Sequence, residues 1–419
     1  MVLLASADLI MVASLGAEAV AAVGVFVQPR MALLCFPRSW ASAVTLLAAN
    51  YAGRGRRHSA VTLLKQSITF GVVSLGLIHG VFWLLREFIL KIMGATPDYL
   101  PLASDYAAIA TVAIYITAVT TVLQAVQLGF GNTAVIMRSN VAGNVVNVIV
   151  NALLIFGLGP FPRLGVVGAA VGTVIGTLVA LGLTLVELKK DGLLTGGRWI
   201  PGAIYFRRIL PIFGSVFSEQ GFERIGMLIF ARIAADLGTV GFAVHNICMN
   251  ICDIYYCFAV GFGKASMVLA GQSCGRGSVF DWLRYRRVGI RWTLLFSTIS
   301  FVLTVVFRKE IFSIYSDSPE TLALSGTVMV LAALVSYPEA HALVAAGILR
   351  GSGRTASVAA YSFVSVTILR PIMTAIFFYV LGLGIVGIWM ALLFDQCIRA
   401  SCAEFLVHRL DYMRAPAKA

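Results

Sequence analysis

Six carboxylates fall inside the longest apolar stretches of this 419-residue sequence: Asp8, Glu219, Glu223, Asp253, Glu339 and Asp395. An ionised acid at bilayer depth costs several kcal/mol, so each must bind a cation, hold a proton or pair with a base. Glu219 and Glu223 lie one helical turn apart and share a face. Amides repeat with the same periodicity. Asn140, Asn144, Asn147 and Asn151 follow i, i+4, i+7, i+11, with Thr173 midway along the next apolar stretch. Asn246, Asn250 and Asp253 follow i, i+4, i+7, close to Tyr255 and Tyr256, and are candidates to line a cleft. A stripe of this kind either binds a ligand or glues helices together, at about 1 kcal/mol or less per bond. For Glu219 and Glu223 the bland alternative is an internal salt bridge to Arg224, Arg232 or Arg370. The bases read inside the spans are Arg30, Arg38, Arg224, Arg232, Lys264 and Arg370, six against six acids, which does not favour cationic solutes over neutral or anionic ones.

No sign of enzyme chemistry accompanies these groups. Membrane hydrolases and transferases need a nucleophile–base pair or a metal cluster at defined spacing. HExxH and paired-histidine patterns are absent, the one GxSxG match (Gly271-Gln272-Ser273-Cys274-Gly275) lies inside an apolar stretch, and no Walker motif is present, so ATP is not used directly. No cofactor is expected, and no catalytic residue. His245 and His341 read as satisfied polar residues. The seven cysteines include Cys248, Cys252 and Cys257 in apolar runs without CxxC pairing, which points to packed thiols rather than disulfides or zinc.

The elements that carry these residues must be membrane helices. Hydrophobic residues make up 59% and charged residues 12%, with a mean hydropathy of +0.91. About 25% charge is usual for a soluble domain. A cytosolic enzyme, a nucleic-acid binder and a secreted disulfide scaffold are excluded, and an all-α polytopic membrane protein is expected. Breaks at Gly, Pro and charge clusters give about twelve spans. They lie near 1–14, 19–51, 59–84, 99–127, 133–156, 165–187, 206–234, 239–272, 283–307, 320–348, 355–381 and 384–407. Eighteen basic residues, including Arg54, Lys189, Arg207, Arg286 and Arg350, fall on one side of these spans and five on the other. The positive-inside rule puts the richer side, with the C-terminus, in the cytoplasm of a cell membrane. The net charge of +13 is then topological and implies no nucleic-acid partner.

A shift of 222 residues aligns Leu15-Gly16 with Leu237-Gly238, Gly53-Arg54-Gly55 with Gly275-Arg276-Gly277, and Gly129, Gly131 and Thr133 with Gly351, Gly353 and Thr355. After a three-residue slip, Leu164-Gly165 and Gly168 match Leu383-Gly384 and Gly387. The chain is therefore a duplication, with an N-terminal six-helix lobe over 1–190, a cytoplasmic linker over 191–205 and a C-terminal six-helix lobe over 206–419. Six helices per copy make the repeats parallel, around a central cleft suited to alternating access. The apolar run around Pro211 has no counterpart in repeat one, and a truncated start is expected.

The segment Asp8-Leu-Ile-Met-Val-Ala-Ser-Leu-Gly-Ala-Glu-Ala resembles the multidrug and toxic compound extrusion (MATE) family, as do Ala52-Gly53-Arg54-Gly55 and Gly347-Ile348-Leu349-Arg350-Gly351-Ser352-Gly353. The resemblance covers essentially the whole chain. It implies a monomeric antiporter that exports small organic compounds against inward sodium or proton flow. It also implies a cation site on Asp8, Asn147, Asn151 and Thr173, where carboxylate, amide and hydroxyl oxygens suit a hard cation such as sodium; a lone desolvated carboxylate would carry a proton instead. Many relatives have aspartate in place of Asn151. A second coupling pair, Glu219 and Glu339, is implied in the C-terminal half. A lipid-linked oligosaccharide flippase of the same superfamily calls for a basic cleft, which the even charge tally does not supply.

Overall fold

The computed structural model describes residues 11–12, 14–315 and 318–410. Among them every regular element is a helix. The chain runs α1 (Ala17–Gly53), α2 (Arg57–Ile92), α3 (Leu100–Gly129), α4 (Thr133–Phe156), α5 (Gly165–Lys190) and α6 (Ala203–Ala235). It continues through α7 (Gly238–Arg276), α8 (Val279–Val306), the short α9 (Arg308–Ser313), α10 (Pro319–Gly351), α11 (Thr355–Val380) and α12 (Gly384–His408). Ten of these are long and apolar enough to cross a membrane. α6 has comparable length, 33 residues, but carries Arg207, Arg208, Glu219, Glu223, Arg224 and Arg232 along it. The expected first span lies almost wholly outside the described residues, and Asp8 with it.

Eleven of the expected spans match a long helix, with shifted ends. α2 runs on to Ile92 rather than stopping near 84, because no breaker follows until Gly94; Arg86 and Lys91, read as loop residues, belong to its last turns. α11 is not a uniform α-helix. Phe363–Leu369 and Ile376–Val380 are π-helical, on either side of Arg370–Ala375.

Two compact units divide the chain at Leu210 and Pro211, inside α6. Within the first, α3 packs chiefly against α1, α2 and α5; within the second, α10 packs chiefly against α7, α8 and α12. The duplication is thus repeated in the packing scheme of each unit. It recurs in the backbone as well. Gly55 and Gly277 take φ of 67° and 69°, and Gly131 and Gly353 take 84° and 80°. These left-handed turns strain any residue with a Cβ, which accounts for glycine in both copies. The first unit buries Phe26, Phe82, Leu90, Ala107 and Ile114; the second buries Phe230, Val244, Cys248, Phe312, Val328 and Trp389. Leu77, Leu84, Phe88, Leu228 and Val306 remain exposed on helix surfaces, as contact with hydrocarbon requires. All seven cysteines are free; Cys248 and Cys252 are packed inside, whereas Cys257 and Cys397 are exposed.

Candidate functional site

In the first unit the polar site is made by glycines. Gly168, Gly172 and Gly176 recur every fourth residue along α5 and place its backbone directly against α4. A Cβ on Gly176 would lie 2.6 Å from both the Asn147 Cβ and the Gly143 carbonyl, and one on Gly172 would fall on the Asn151 side-chain oxygen. In this seam Asn147 and Asn151 are buried, and the Asn147 amide donates to the Thr173 hydroxyl at 3.2 Å. Thr173 in turn donates to the Ala169 carbonyl at 2.8 Å. The seam therefore groups two amide side chains and a hydroxyl, oxygen donors of the kind a hard cation prefers. Asp8, the fourth expected member, lies outside the described residues.

The four-asparagine stripe does not act as one surface. Asn140 exchanges hydrogen bonds with Gln124 at 3.3 and 3.4 Å, and Gln124 also donates to Thr184 at 3.0 Å. That knot ties α3, α4 and α5 together. Asn144 is half-buried between the two groups.

The second unit holds a denser set of charges. Glu219, 3% exposed, accepts from Arg350 at 2.5 Å and from Ser362 at 3.4 Å. Glu223 accepts from Arg399 at 2.8 Å. Asp395 is fully buried and accepts from the Nε and Nη2 of Arg370 at 2.9 and 2.6 Å. Glu339 differs. It accepts only a long bond from Gln396, at 3.5 Å, and forms no ion pair among the described residues. With Tyr255, Phe258, Phe296, Ser297 and Ser336 it lines a pocket framed by α7, α8 and α10. α8 turns mainly hydroxyls inward here: apart from Trp282, its buried residues are Thr293, Ser297 and Thr304.

Several expectations need correction. The partner of Glu219 is Arg350, not Arg224, Arg232 or Arg370; Arg232 pairs with Asp236 and Arg370 with Asp395. Arg350, expected in a loop beyond the span 320–348, lies in the last turn of α10, and its guanidinium reaches back to α6. Arg399, inside the span 384–407, was missed, so the even tally of internal acids and bases understates the bases. His245 is not satisfied: its Nδ1 has no hydrogen-bond partner among the described residues, and the ring sits among Phe230, Phe242 and Trp389. His341 does pair, with Glu404 at 3.2 Å.

The candidate lining residues of α7 divide between two surroundings. Asn246 and Asn250 are exposed, each bonded to the carbonyl one turn back at 3.0 and 2.9 Å, and Asp253 is exposed on the same face. Tyr255 binds the Thr304 hydroxyl, whereas Tyr256 stands within electrostatic range of Glu223, Glu339 and Arg399.

Comparison with known proteins agrees with this architecture. The family model described as MatE matches residues 1–153 and 211–395. A probable multidrug resistance protein NorM of Rhizobium meliloti (strain 1021) is 26% identical over 96% of this chain and 88% of its own length. Among solved structures, an aspartate-to-asparagine mutant of the Vibrio cholerae MATE transporter VcmN superposes with a TM-score of 0.90 at 17% identity, covering 98% of this chain and 94% of that one. A multidrug resistance MATE family transporter of the MOP superfamily, in an outward-facing conformation, gives 0.87 at 20% identity over 98% and 92%.

Proposed function

The chain belongs to the MatE family of membrane transporters, and on that premise we propose that it is a secondary antiporter of the cell membrane. It exports small organic, drug-like compounds as a monomer by alternating access, with its C-terminus in the cytoplasm. Inward flow of sodium or protons drives the cycle. Coupling needs only that the ion bind one access state more tightly than the other.

The observation that carries this reading is Glu339. A coupling acid must exist both loaded and empty, and an acid held by an arginine already has its counter-ion. Glu219, Glu223 and Asp395 are held in this way. Glu339 has a weak amide contact and an aromatic, hydroxyl-lined pocket instead. Arg399 and Arg370 act on it only from beyond ion-pair distance, so a proton or a small cation bound there supplies the close partner it lacks. Glu219, through Arg350, shapes the field in which that happens. In the first unit Asn147, Asn151 and Thr173, with Asp8, form the second coupling site; the donor set fits sodium.

Efflux of a fluorescent organic cation from vesicles, under separately imposed sodium and pH gradients, tests the proposal. One gradient should drive transport. Glu339→Gln should lower gradient-driven efflux at least about tenfold, the kinetic equivalent of losing 1.4 kcal/mol of coupling, and Asp8→Asn should do the same. Transport indifferent to both gradients would reject antiport, and unchanged efflux in Glu339→Gln would remove that acid from the scheme.

A further inference from the structure

The two helix crossings, α4 with α5 and α11 with α12, correspond residue by residue once one insertion is recognised. Thr133 and Thr355 open the paired helices at a shift of 222. At the far end, Leu164 donates its backbone N–H to the Leu154 carbonyl at 2.8 Å, and Leu383 donates to the Phe377 carbonyl at 3.0 Å. Gly168 faces the same Leu154 carbonyl, and Gly387 faces that of Phe377, each 2.8 Å from where a Cβ would stand. Leu154 and Phe377 are 223 apart, one more than Thr133 and Thr355, while Leu164 and Leu383 are 219 apart because the connection after the helix is four residues shorter in the second unit. One residue has therefore been added within α11. A π turn holds one residue more than an α turn, and the segment Phe363–Leu369 is where the added residue is absorbed.

Beyond that segment Arg370 is the counterpart of Asn147, and Thr374 that of Asn151; Asp395 is the counterpart of Gly176, and Ser365 that of Gly143. The contacts agree. Asn147 packs on Gly176 and Gly143 on the Gly176 carbonyl, while Arg370 and Ser365 both bond to Asp395. So the place that holds neutral amides in one unit holds a full charge pair in the other. The pair is shut in: Arg370 is 3% and Asp395 0% exposed, with Met227 Sδ 2.9 Å from Arg370 Nη1 and the Phe230 ring beneath the guanidinium.

We propose that Arg370 is a tethered cation, occupying in the C-terminal unit a cation site built from the Asp395 carboxylate and the Ser365 hydroxyl. Removal of the guanidinium opens that site to a free monovalent ion of the sodium or lithium class. The comparison with Asn147 rests on the proposed ligand role of the first unit, but its test does not, because it reads ion-dependent stability rather than transport.

The full chain in detergent carries the experiment. Arg370→Ala strands a buried carboxylate, which is strongly destabilising unless a counter-ion replaces the lost one. Replacing N-methylglucamine chloride by sodium chloride at equal ionic strength should raise its melting temperature by roughly 5 °C. The wild type and Arg370→Lys, which keep a tethered charge, should not respond, and neither should Arg370→Ala/Asp395→Asn. Equal melting of Arg370→Ala in both salts, a response of the double variant, or failure of Arg370→Ala to fold even when prepared in sodium would each overturn the proposal. Efflux by Asn147→Leu reports separately on the first unit, so the two readings fail independently.

Discussion

Asp236 lies exposed in the short connection between α6 and α7 and shows how local contacts set a proton affinity outside the membrane. The Tyr379 hydroxyl donates to it at 2.5 Å and Arg232 at 2.6 Å, and together they hold its carboxyl below the usual range. The affinity is depressed in the folded chain, so the resulting stability is present above the unfolded pKa and lost as pH falls through the folded one. Asp236→Asn should therefore lower the melting temperature slightly at neutral pH and flatten the acid limb, the variant and the wild type converging in acid; an unaltered acid limb would show that the contacts contribute nothing. Residue types and spacing made part of the polar inventory legible. The asparagine stripe and the spacing of Glu219 and Glu223 are visible in sequence, because helical periodicity is local. Which arginine meets which acid was not, because Arg350 and Arg399 meet Glu219 and Glu223 across more than a hundred residues. Nothing near Asn140 in sequence announces that it would pair with Gln124 rather than join Asn147.

Helices are where the sequence was most readable and, in one case, most misleading. Apolar length and glycine breaks located eleven long helices. The π segments of α11 were hidden because the added residue is offset in the following connection, so that only a net slip survives in the alignment. The close seam between α4 and α5 has a direct test. Gly176→Ala would put a methyl 2.6 Å from the Asn147 Cβ, and overpacking of this kind costs roughly 1–3 kcal/mol. Melting should fall by several degrees. Gly182→Ala on the same helix meets nothing within 4 Å and should change little; equal melting of the two variants would show that the seam tolerates separation.

At the scale of the whole chain, the proposed orientation across the membrane rests on the excess of basic residues on one side of the spans. A reporter fused after residue 419 should be fluorescent if it is a cytoplasmic fluorophore and inactive if it is an export-dependent phosphatase. The reverse pattern would invert every span assigned here. Each unit also has its own core, and the first is riveted through α5. Where two backbones touch with no side chain between them, a slip by one turn would bring Ala180 into the place of Gly176 or Leu164 into that of Gly168, where a Cβ has no room. α4 and α5 must travel as a single plank. Whatever rearrangement carries cargo across the bilayer has to be borne by other joints, while the spacing of Asn147 and Thr173 is carried through the cycle unchanged.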